Sequence, residues 1–175
     1  MSEKKKSIFL CGFMGCGKST TGRLLAQKLG CNFIDMDDYI VGEQGMSIPQ
    51  MFAEKGESFF REAETRAVRE LADKKGVIAC GGGAMLKKIN ADIANEAGYV
   101  VYIDADFETC YGRIAGGKDR PIVANNTKEE LEIIYDGRVP VYKENSALIV
   151  SGEGSPNEVA DRIIGLVEAV GGIAD

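Results

Sequence analysis

The chain has 175 residues, 45% apolar and 27% charged, with a net charge of −6. That length fits one domain, residues 1–175, with room for a real core, and the acidic balance argues against a general nucleic-acid surface while allowing a local basic pocket. The absence of histidine excludes Ser/His/Asp catalysis and the usual zinc sites, and five cysteines without a C-x-x-C pair read as reduced thiols.

At the N-terminus, Lys4-Lys5-Lys6 reads as a solvated tail, and the apolar run behind it is broken by glycine after four residues. That is too short for a signal peptide, and no later stretch could span a bilayer, so a cytoplasmic protein without a membrane partner is expected. The first strand is predicted at Ser7 to Cys11, and the first helix from Lys18 to Leu29, closed by Gly30. A second strand follows at Asn32 to Asp35. A short helix is expected after Ser47, with Pro49 in its first turn. The longest helix is predicted from Glu57 to Lys74, with Phe60, Ala63, Ala67, Val68 and Leu71 as its apolar stripe.

Further strands are predicted at Gly76 to Cys80, Tyr99 to Asp104 and Ala147 to Val150. The last helix opens on Ser155-Pro156-Asn157-Glu158, a capping box with proline at its first position. Apolar runs alternating with helical patterns, several without polar interruption, point to an α/β fold: a three-layer, five-stranded parallel sheet with helices on both faces. Residues 115–127, "AGGKDRPIVANNT", read as a functional lid.

Between the first strand and first helix stands G-x-x-x-x-G-K-S: Gly12, Gly15, Cys16, Gly17, Lys18 and Ser19, followed by Thr20. Glycines let successive backbone N–H groups turn inward on phosphate oxygens, and the helix N-terminus adds positive charge. Lys18 can reach the outer phosphates and the Ser19 hydroxyl can ligate Mg²⁺, so the stretch reads as a nucleoside triphosphate cradle. No N-K-x-D guanine motif is present, which argues against a GTP switch. Tyr99 to Asp104 has the form of a motor ATPase strand, but its aspartate reads as structural.

The second strand ends in "FIDMDD". If still extended, Asp35 and Asp37 share a side; one could hold Mg²⁺ through water while the other takes an acceptor proton, and the plainer alternative is helix capping. Cys80-Gly81-Gly82-Gly83 brings bare backbone close to something or makes a tight turn. Arg61 and Glu64 are helix neighbours that read first as a surface pair. Pro140 should end or kink a helix just after Arg138. Arg120-Pro121 presents an arginine on the lid, where it could close over a transferring phosphoryl group.

Taken in order, "GFMGCGKSTTGRLLA", "FIDMD", "SIPQMFAEKGESFFREAE", "GGGA", "DRPIV" and "RVPVYKE" resemble the shikimate kinase family over essentially the whole chain. The resemblance implies a nucleoside-monophosphate-kinase-like P-loop fold with a lid. It implies transfer of the γ-phosphoryl of ATP to the 3-hydroxyl of shikimate, a step of aromatic amino-acid biosynthesis. By the same resemblance, Arg61 and Arg138 grip the carboxylate, and Asp37 binds hydroxyls and serves as base with the Gly81 to Gly83 backbone. Phe52 and Phe60 wall the pocket, and Glu57 and Glu64 orient the arginines.

Lys18 and Arg120 are implied to stabilise the phosphates, and Ser19 and Asp35 to hold Mg²⁺. Arg113 flanks the adenine, with the loop at Ser155 and Pro156 on its other side. The region of about 36–64 binds substrate, and a monomer is expected. Gluconate or a nucleoside monophosphate is the alternative acceptor, and a non-catalytic nucleotide-binding regulator the alternative class. Cys16 departs from the small residue expected in the family; a helix N-terminus can lower a thiol pKa, so its alkylation is expected to block ATP binding.

Overall fold

In the computed structural model, residues 6–117 and 121–171 are described. Five parallel strands form one sheet in the order β2-β3-β1-β4-β5: β1 Ser7–Cys11, β2 Asn32–Asp35, β3 Gly76–Ala79, β4 Gly98–Asp104 and β5 Leu148–Ser151. The three central strands are almost wholly buried, which is why their sequences carry no polar alternation, while β2 and β5 at the edges are partly exposed. The helices are α1 Lys18–Leu29, α2 Met36–Gln44, α3 Ile48–Lys55, α4 Glu57–Ala72, α5 Lys88–Ala97, α6 Phe107–Ile114, α7 Pro121–Ala124, α8 Lys128–Asn145 and α9 Pro156–Ala169.

Helices cover both faces of the sheet. α1 and α9 pack together, α1 against β3 and α9 against β5, while α4, α5 and α8 form a second group with α5 and α8 against β4. The apolar stripe read in α4 is buried as a unit, and in α9 Val159, Ile163 and Val167 are buried with Ile164 half-buried. Gly30 ends α1 in the left-handed conformation, its N–H reaching the Ala26 and Gln27 carbonyls. Capping boxes open α8 at Thr127 and α9 at Ser155.

Several sequence expectations are corrected. The chain does not stay extended past Asp35: α2 starts at Met36, so Asp35 is its N-cap and Asp37 lies in its first turn. Nor does Pro140 end α8, which runs on to Asn145. Proline forfeits one backbone N–H, but Tyr142 beyond it is fully buried against Tyr102, and such packing outweighs the lost bond. Helices α5 and α6 were not foreseen, α4 stops at Ala72, and residues 115–127 contain the short helix α7.

Parallel strands all point their C-terminal ends at one edge of the sheet. Ligands of open α/β sheets bind there, at the point where the strand order reverses, here beside β1. The glycine loop follows β1, Asp35 ends β2 and the glycine triplet follows β3, so topology alone brings these three segments together.

Candidate active site

The loop between β1 and α1 bends through positive φ at Gly12, Gly15 and Gly17. Of these, Gly15 is the most constrained: with φ +81°, a Cβ there would lie 2.5 Å from the Cys110 carbonyl oxygen. Its own carbonyl accepts a 2.9 Å bond from Arg113 Nη1, so α6 braces the loop from outside. Lys18 is buried, its ammonium donating to the Gly12 and Phe13 carbonyls at 2.7 and 3.2 Å. To reach a phosphate it exchanges one of these partners.

At the start of α1, Ser19 Oγ donates to Asp35 Oδ2 at 2.7 Å. The other carboxylate oxygen, Oδ1, accepts from the Asp38 N–H at 3.2 Å and caps α2. Capping and a place beside the phosphate cradle are therefore compatible, one oxygen serving each.

Next to this loop opens a cleft of about 500 Å³, counting the part open to solvent. Arg61, Arg138, Asp37 and Glu64 supply its charge, Gly81, Gly82 and Gly83 one wall, and Phe52 and Phe60 another. All nine residues that the resemblance implies for the substrate site thus border one space. Met14, Ile48, Pro121 and Ile122 border it too; the sequence reading missed them, since apolar residues in a loop or short helix carry no signal of a binding wall.

Arg61 is far from a surface pair. Its Nη1 donates to Glu64 Oε1 at 2.7 Å, its Nε and Nη2 reach Glu57 Oε1 at 3.3 and 3.2 Å, and Phe60 lies beneath the guanidinium at 5.4 Å. Burial opposes its charge, yet the two glutamates outweigh burial and hold its pKa above the ordinary value. Glu64 is 1% exposed. Burial pushes its pKa up, with Arg61 pulling it down, Asp37 pushing it up and Arg138 pulling it down.

Two glycines of the triplet are closely approached by charged side chains. A Cβ on Gly81 would stand 2.7 Å from Asp37 Oδ1 and 3.1 Å from Glu64 Oε2, and one on Gly83 would overlap the Arg61 guanidinium. Bare backbone is what lets two acids and a guanidinium close on the loop.

Comparison with known proteins gives the family. Residues 14–168 match the family model described as shikimate kinase. The chain belongs to the shikimate kinase family. The shikimate kinase of Persephonella marina is 39% identical over 163 residues, covering 93% of this chain and 99% of that one. A solved shikimate kinase from Acinetobacter baumannii, in complex with shikimate, superposes with a TM-score of 0.89 at 34% identity, covering 95% and 94% of the two chains. The APS kinase CysC of Mycobacterium tuberculosis, solved with AMPPNP and APS, shares the fold at TM-score 0.61 and 16% identity, covering 94% of this chain and 98% of that one.

Four other expected residues of this shikimate kinase family member, Cys16, Thr20, Ser155 and Pro156, which the resemblance assigns to the nucleotide, lie outside this cleft. Cys16 is 3% exposed, its sulfur turned in toward Gly12 and 3.9 Å from Lys18 Nζ, so the alkylation expected to block ATP binding meets a buried thiol. Thr20 is exposed on α1. Ser155 uses its hydroxyl to accept the Glu158 N–H, and neither it nor Pro156 borders the cleft. Arg120 lies outside the described residues.

Replacing Gly15 with alanine tests the loop. A left-handed φ and a Cβ pressed on a backbone carbonyl predict a loss of about 1–3 kcal/mol in stability. Urea denaturation, with ATP affinity measured alongside, checks this; unchanged stability with unchanged ATP affinity contradicts the tight fit.

Proposed function

We propose that this protein transfers the γ-phosphoryl group of ATP to the 3-hydroxyl of shikimate, giving shikimate 3-phosphate and ADP in aromatic amino-acid biosynthesis. The observation that carries the reading is the cleft itself, where two arginines, an aspartate and a glycine wall meet beside a phosphate-binding loop. Arginines suit a carboxylate because their planar fork matches its two oxygens. Aspartate suits an alcohol because it accepts the hydroxyl hydrogen and orients the oxygen.

In this reading Arg61 and Arg138 bind the shikimate carboxylate, and the Phe52–Phe60 pair packs against the ring. Asp37 receives the 3-hydroxyl proton as that oxygen bonds to the γ-phosphorus and the bond to the ADP oxygen breaks. Backbone N–H groups of the Gly12–Ser19 loop cradle the phosphates with Lys18, and Arg120 stabilises the charge in transfer. Arg113 and the Ser155–Pro156 segment flank the adenine. The lid of about 115–127 closes over the region of about 36–64 and excludes water, which would otherwise take the phosphoryl group.

Mg²⁺ fits the residues present. Ser19 and Asp35 offer two oxygens 2.7 Å apart beside the loop, and among the described residues no group of three or more Asp, Glu, Cys or His gathers. Mg²⁺ typically takes one or two protein oxygens, completing its octahedron with waters and phosphates. Bound with the nucleotide there, it supplies neutralising charge to the β- and γ-phosphates.

Among the described residues no helix is long and apolar enough to cross a membrane. A cytoplasmic monomer acting on small molecules, with no membrane partner, belongs to the same proposal, and the net charge of −6 argues against a general nucleic-acid surface. The test is ADP release with ATP and Mg²⁺, comparing shikimate, gluconate, AMP and no acceptor. Turnover with shikimate alone is expected. Turnover with another acceptor replaces the substrate, and nucleotide binding without acceptor-dependent turnover replaces the enzyme with a regulator.

A further inference from the structure

Behind the glycine triplet, five consecutive carbonyls are held. Those of Gly81 and Gly83 accept backbone N–H groups of Ala84 and Leu86 at 3.2 and 3.3 Å. The other three take side-chain donors: Gly82 from the Tyr142 hydroxyl, Ala84 from Asn90 Nδ2 at 2.9 Å, and Met85 from Asn145 Nδ2 at 2.8 Å. The phosphoryl-transfer scheme above uses none of these side chains.

Two of the three donors belong to α8, the helix that also carries Arg138. Arg138 and Tyr142 are four residues apart and share a helix face, with Asn145 one turn further. A Cβ on Gly82 would lie 3.5 Å from Arg138 Nη1, so the carbonyl that Tyr142 holds belongs to the backbone facing that guanidinium. Tyr142 is itself packed in place: it is fully buried and stacks on Tyr102 with ring centroids 5.3 Å apart. Burial raises its phenol pKa, against the pull of Arg138 beside it, which keeps the hydroxyl a donor. Asn145 is fastened in turn, its carbonyl taking Asn95 Nδ2 at 3.0 Å while Asn95 Oδ1 takes the Val100 N–H of β4 at 2.9 Å.

We propose that Tyr142 and Asn145, with Asn90 as a third anchor, are positioning residues for the acceptor, clamping the Gly82–Met85 backbone at a set distance from the Arg138 guanidinium. The proposal rests on the reading of the cleft as the shikimate site. An arginine on one helix and a glycine wall on a loop between other elements could drift apart independently. Holding the wall from the arginine's own helix makes them one unit, and displacements near 1 Å in such sites have large effects on rate and affinity.

The experiment compares steady-state constants for both substrates in wild type, Tyr142→Phe and Asn145→Ala. Phenylalanine keeps the ring and its stacking and removes only the hydroxyl. Leaving the buried Gly82 carbonyl without its donor is expected to raise the shikimate KM about tenfold, through displacement of the wall. The ATP KM should stay within about twofold of wild type. Asn145→Ala is expected to move the shikimate KM in the same direction, and it carries the test if Tyr142→Phe does not fold. Shikimate and ATP KM values changing in equal proportion, or neither changing, overturns the clamp and leaves these side chains a structural role only. The wild-type assay distinguishes the failures: no turnover of shikimate by wild type rejects the substrate reading, and the clamp with it.

Discussion

Arg61→Ala is expected to destabilise the fold by about 3 kcal/mol near neutral pH and to abolish measurable saturation by shikimate. The figure sits at the low end for breaking a buried ion pair, because Arg61 retains 26% exposure while Glu64 has 1%. With the guanidinium gone, Glu64 Oε1 loses its 2.7 Å donor and the buried carboxylate stays beside Asp37. Its pKa, already raised by burial, then loses the strongest opposing influence and rises further. A carboxyl whose folded pKa lies above its unfolded value favours the folded state while protonated. That advantage is complete below the unfolded glutamate value, about 4.3, and disappears as pH rises through the folded one. The stability deficit of the variant should therefore be smaller at about pH 5 than at about pH 8 in urea denaturation. Adding Glu64→Gln should recover most of the stability and none of the shikimate binding. An equal deficit at both pH values would show that Glu64 carries no buried charge.

The contrast between what Arg61 looks like in sequence and in space shows where sequence reading stops. An i, i+3 arginine–glutamate pair on a helix is ordinarily a solvated contact of small effect. Here α4 turns Glu64 inward onto Gly81, and the glycine triplet is what admits it. The glycine-rich loop was legible because both its chemistry and its context, a buried strand before and a helix after, are local. The strands were legible for the same reason: continuous apolar runs declare burial on both faces.

Contacts across the chain were not legible. Tyr142 meets the Gly82 carbonyl 60 residues away, and no pattern within α8 announces that partner. Proline at 140 pointed to an end or a kink because local propensity is the only information a window of sequence contains, whereas tertiary anchors on Tyr142 and Asn145 carry the helix on past it. Helix α2 was hidden by its acidic opening, Met36-Asp37-Asp38, which reads as easily as a solvated turn. Of the two readings offered for Asp35 and Asp37, one extended face or helix capping, the structure takes capping for Asp35. In the fold they diverge, Asp35 toward Ser19 and the start of α1, Asp37 toward the glycine wall and Glu64. The helix thus separates a carboxylate suited to the metal from one suited to the acceptor.

That separation gives Asp37→Asn a specific signature: kcat lower by about 10²–10⁴, the range for loss of a positioned general base, with the ATP KM unchanged. Asparagine keeps the size of the side chain, so its fit against Gly81, where Oδ1 leaves no room for a Cβ, is retained. The phosphate loop is braced by Arg113 and closed by Lys18 without help from Asp37, so nucleotide binding has no reason to change. Asp37 pushes the Glu64 pKa up, which is a mutual repulsion between two acids, and a neutral amide removes it. A variant saturated by ATP as before and nearly inactive is the expected combination, measured by steady-state kinetics. A fall of only a few fold in kcat would mean that the carboxylate orients the hydroxyl without taking its proton. A loose transition state, in which the attacking oxygen has formed little bond when the phosphoryl group departs, would then need no stronger base.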